Sequence, residues 1–126
     1  MDKLVIIPTY HEKADMIIVM ASNHFGCCPG RFTESENVAA GIYNDINLSI
    51  ADYAKAIKEV AEFNNTYYIP IYEECGINQD NYEQYNLSEY NNYGHHVYLH
   101  PNSGGARKIL DVYLNYLNVI ADEAQQ

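Results

Sequence analysis

Leu99-His100-Pro101-Asn102-Ser103-Gly104-Gly105-Ala106-Arg107-Lys108-Ile109 decides how this chain is read, because it puts a histidine at the mouth of an amphipathic helix. Asn102 or Ser103 caps that helix, Gly104 and Gly105 allow another segment to come close to its start, and Ala106, Ile109, Leu110, Tyr113, Leu117 and Ile120 recur at helical spacing behind them. Upstream, Asp15-Met16-Ile17-Ile18-Val19-Met20 is an apolar run after an acid and before small and polar residues, the pattern of a strand buried in a parallel sheet. A helix over about residues 49–63 is predicted by a cap at Asn47 or Ser49 and a stripe through Ile50, Ala54, Ile57 and Ala61, with Tyr53 and Val60. Tyr67 to Tyr72 reads as a strand that Pro70 demotes toward an edge or a bulge, and residues 79–93 read as irregular with at most a helical turn. Leu4 to Ile7 reads as a further short strand, and Ser22 to about Asn47 as loop. Strand, helix, strand, helix predicts an α/β domain with right-handed crossovers and a short, mainly parallel sheet.

The 126 residues fit one domain, 1–126, with a single core. A net charge of −10, with seven basic residues, argues against nucleic acid as partner. No apolar run approaches the roughly 18 residues of a membrane span and no signal-like segment opens the chain, so neither membrane insertion nor secretion is expected, and a cytoplasmic location or a place in a larger assembly is. Cys27, Cys28 and Cys75 form neither a C-x-x-C pair nor an even disulfide set. Tyrosine and asparagine crowd residues 64–93, a surface chemistry suited to carbohydrate or protein contact.

A serine or cysteine hydrolase needs a nucleophile, a base, a group that orients the base, and donors for the oxyanion. The sequence offers two of these. His100 is the candidate base, and Asn23, at the carboxyl end of the inner strand where open α/β sheets build their sites, is the candidate oxyanion donor. His24, His95, His96 and His100 invite a metal reading. The adjacent pair points apart in an extended segment, however, and no cysteine or carboxylate stands at ligand spacing, so neither metal nor cofactor is expected. Glu73, Glu74 and Asp80 read as solvated charges near a strand end.

Ala21-Ser22-Asn23-His24-Phe25-Gly26 and the His100-Pro101-Asn102 helix start resemble the rear half of SGNH (GDSL-type) ester hydrolases, over most of the chain from Ala14 to Leu110. The resemblance implies a partial three-layer α/β/α, flavodoxin-like fold, with Asn23 steadying an oxyanion and His100 acting as base in ester hydrolysis. The departures fall where the chemistry is: Ala21 replaces the motif's glycine, His24 its aspartate, and Val97 stands where the family has the acid three residues before the histidine. The block with the nucleophilic serine has no counterpart. Ser103 reads as a cap, Ser22 falls on a variable position, and Cys27 and Cys28 have no identifiable base beside them. Two functions follow as expectations. One is a binding or assembly module on an SGNH-like scaffold, with a carbohydrate ligand; the other is an ester or acetyl-ester hydrolase of a carbohydrate-linked substrate, its serine supplied by another segment or chain. A sheet without its first strands would also expose an apolar edge, which predicts a homo-oligomer or a partner chain.

Overall fold

The computed structural model describes residues 17–27 and 48–124; the expected strand at Leu4 to Ile7, the start of the next at Asp15, and Cys28 lie outside them. Strand β1 (Val19–Ala21) pairs in parallel with β2 (Tyr67–Ile69), in the register Val19 to Tyr67 and Ala21 to Ile69, and helix α1 (Ile50–Phe63) lies in the connection between them. The architecture is α/β with a short parallel sheet.

Local chemistry sets the ends of α1. The Ser49 hydroxyl accepts from the Asp52 amide while the Asp52 carboxylate accepts from the Ser49 amide, a reciprocal capping box that satisfies donors the first turn cannot. At the other end Asn65 takes φ 51°, so that Thr66 N–H reaches back to Ala61 O and Asn65 N–H to Glu62 O, closing the helix with an asparagine in the left-handed conformation.

All three residues of β2 are buried, because both faces of the strand are covered. Tyr67 and Ile69 join Val112, Tyr116 and Ile120 of the last helix in the core, whereas Tyr68 points the other way and its hydroxyl reaches Ala54 O of α1 at 3.4 Å. The strand ends at Ile69, three residues earlier than the apolar run does, since Pro70 cannot continue the ladder; Ile71–Glu74 turn into a short helix, α2.

The helical turn allowed for residues 79–93 is present, and a hairpin that the sequence did not suggest follows it. A helical turn, α3 (Tyr82–Tyr85), leads into an antiparallel hairpin of β3 (Glu89–Tyr90) and β4 (His96–Val97), whose legs are extended by Leu87 N–H to His100 O and Asn102 N–H to Tyr85 O. Cys27 pairs with Tyr98 in an antiparallel bridge, so the segment after β1 is stitched to the return leg of this hairpin. The last helix, α4 (Ser103–Ala124), is capped by Asn102, whose side-chain oxygen accepts from Gly105 N–H at 2.9 Å; Ser103 is its first helical residue rather than its cap. Among the described residues no helix is long and apolar enough to cross a membrane.

Candidate functional site

The carboxyl ends of β1 and β2, the hairpin and the start of α4 converge on one edge of the fold. His100 sits there with its side chain 72% exposed, and its Nδ1 lies 2.8 Å from Glu89 Oε1. Val97 is buried and has no polar atom to offer. The residue directly across the ladder from it is Glu89, and that residue brings the carboxylate to the imidazole. An acid–histidine pair thus exists, assembled across two strands instead of within one.

His24 lies beneath. Asn86 Nδ2 donates to Phe25 O at 3.0 Å, which leaves Asn86 Oδ1 to accept from His24 Nε2 at 2.9 Å and so assigns the ring proton to Nε2. Burial pushes the His24 pKa below its ordinary 6.5, against the opposing pull of Asn86 and the Leu99 carbonyl, and the neighbouring His100 lowers it further. The unfolded chain therefore takes up a proton at this residue before the folded protein does, and stability falls as pH drops through about 6.5. Urea midpoints should decline from about pH 7.5 to about pH 5.5, and the decline should be shallower in His24→Gln; equal slopes for both proteins would refute the assignment.

Asn23 is exposed at the end of β1, one residue from His24. Its other neighbour, Ser22, is buried: its hydroxyl donates to Glu73 Oε1 at 3.0 Å and accepts from the Tyr72 amide at 2.9 Å. Tyr68 donates to the same carboxylate at 2.8 Å; burial raises its pKa and the Glu73 carboxylate raises it further, against the opposing pull of Ser22. Glu73 is exposed, as expected of a charge near a strand end, but is also a held acceptor; exposed Glu74 likewise accepts from the Tyr116 hydroxyl. Beside Glu73 opens a cleft of about 380 Å³, lined by Phe25, Tyr72, Ile77, Asn78, Gln79 and Asp80, within the size range of small-molecule sites. No alternation or motif marks these residues in the sequence; the clue was their position just beyond a strand end.

Ser88 Oγ lies 2.6 Å from His96 Nε2, and the His96 ring stacks on Tyr90 at 4.8 Å between centroids. Ser22, Ser49 and Ser88 are therefore all bonded away from His100. Among the described residues His24 lies near His100 whereas His96 sits among tyrosines, and no cluster of three or more metal-ligating side chains is present. Compared with protein-family models, curated proteins and solved structures, the chain matches none.

Proposed function

We propose that this chain is a binding module on an SGNH-hydrolase-like scaffold of three-layer α/β/α, flavodoxin type, and that it takes a neutral saccharide into the cleft beside Glu73. The layering is supported by helices on opposite sides of β2, reached by Tyr68 on one side and by Tyr67 and Ile69 on the other. The observation that carries the binding reading is the cleft itself. A carboxylate fixed by two hydroxyl donors stands among carboxamides and a half-buried tyrosine. Carboxylate and carboxamide groups complement sugar hydroxyls, the tyrosine ring offers an apolar face, and a chain of net charge −10 disfavours phosphorylated ligands.

A hydrolase reading keeps one specific observation in its favour, the Glu89–His100 pair at 2.8 Å. In that reading His100 is the base, Asn23 steadies the oxyanion, and a serine comes from another segment or chain.

Chemical-shift titration with glucose, galactose, mannose and N-acetylglucosamine decides between them. Binding near a dissociation constant of about 1 mM is expected for at least one sugar, weakened about tenfold by Tyr72→Ala or Glu73→Gln. Absence of shifts at Tyr72 and Gln79 with all four sugars at about 50 mM would sink the saccharide reading. Fluorophosphonate labelling abolished by His100→Ala would establish the hydrolase instead.

A further inference from the structure

We infer that Ser88 is an acyl-accepting nucleophile served by His96, a modification site on the hairpin separate from the Glu89–His100 pair. Strand alternation puts Ser88, Tyr90, His96 and Tyr98 on one face of the hairpin and Glu89 with Val97 on the other. Ser88 is exposed, and its Oγ lies 2.6 Å from His96 Nε2. By contrast, Ser22 is buried against Glu73 and Ser49 is spent on the cap of α1.

A serine becomes nucleophilic when a base stands within hydrogen-bond reach and a third group holds that base in place. Here aromatic rings do the holding. Tyr90 is directly across the ladder from His96, and the two rings lie 14° from parallel with centroids 4.8 Å apart. The Tyr98 ring packs on His96 at 4.7 Å and is itself fixed, edge-on to Tyr82 at 5.4 Å and by the two backbone bonds it exchanges with Cys27. With the imidazole proton on Nδ1, Nε2 takes the Ser88 proton as Oγ attacks the carbonyl carbon of an activated ester. The Oγ–C bond forms, the C–O bond to the leaving group breaks, and His96 passes the proton to the departing oxygen; nothing is oxidised or reduced. Tyr90, 72% exposed, extends a flat apolar surface beside the serine, which fits an aryl ester.

The inference is independent of what the cleft binds, because its readout is a covalent mark on one residue and neither sugar binding nor turnover. After treatment with p-nitrophenyl acetate at neutral pH, peptide mass spectrometry of the intact chain should find acetyl on Ser88, formed about 100-fold faster than on Ser103, a serine also exposed, at the start of α4. His96→Phe keeps a ring for Tyr90 and Tyr98 to pack on but removes the base, so acetylation of Ser88 should slow about 100-fold while the circular dichroism spectrum stays that of the parent. Acetylation of Ser88 no faster than that of Ser103, a comparison that needs no variant, would overturn the assignment. So would a rate undiminished in folded His96→Phe.

Discussion

Gly105→Ala destabilises the protein by about 2–4 kcal/mol, although the same substitution in an ordinary helix stabilises by about 1 kcal/mol. The sign reverses because a Cβ on Gly105 would stand 2.1 Å from Tyr85 O and 3.1 Å from its carbonyl carbon. Those are backbone atoms. They cannot swing aside as a side chain does, and the Tyr85 carbonyl is already engaged by the Asn102 amide at 3.0 Å. Relieving the clash means lifting the first turn of α4 off α3, which loosens the Asn102 cap as well. Against a total stability of about 5–15 kcal/mol, the loss should lower the thermal midpoint by about 10 °C. Gly104 is the internal control. A Cβ there meets nothing nearer than 3.4 Å, so Gly104→Ala should be neutral or stabilising by up to about 1 kcal/mol. Thermal melts of both variants check the pair of expectations; equal effects would mean that the close approach of α4 to Tyr85 is not what the glycine serves.

That close approach was legible from the Gly104-Gly105 doublet, but which of the two glycines needs to be bare was not, since the neighbour is 20 residues away in sequence. The same division runs through the molecule. Helix α1 could be read because cap and stripe are local signals. Strand β2 could be read because its apolar run has few alternatives, with Pro70 shortening it; the other expected strand was legible only in part, since β1 covers Val19–Ala21, is half-buried, and Ile17 and Ile18 before it are exposed. The β3–β4 hairpin could not, because two-residue strands carry no usable alternation and Tyr-Asn-rich sequence looks like loop. At the site, Asn23 and His100 were found from their positions at a strand end and a helix start. Which carboxylate, Glu73 or Glu89, stands in for the acid missing at Val97 was not legible, because cross-strand pairing, not spacing along the chain, brings Glu89 to the imidazole. Ser22 escaped for a related reason, since the carboxylate that fixes it is 51 residues away.

Asn86→Ala should cost about 2–4 kcal/mol, far more than a change in a polar stretch of sequence would suggest. Asn86 is 3% exposed and its two side-chain atoms do different work: Nδ2 supplies the Phe25 carbonyl, and Oδ1 receives the His24 proton. Truncation leaves that carbonyl and a half-buried imidazole N–H without those partners, so the cost is the desolvation of both and not merely the bonds lost. Asn86→Asp separates the two roles. A carboxylate still accepts from His24, and its charge should raise the His24 pKa toward or above the ordinary 6.5, but it has no hydrogen for Phe25 O and repels it. The aspartate variant should therefore be less stable than the parent at neutral pH and should recover part of that deficit on acidification, as His24 protonates beside it. Urea denaturation across pH, with the His24 titration followed by nuclear magnetic resonance, measures both halves. An unchanged His24 pKa in the aspartate variant would show that Asn86 does not hold the ring.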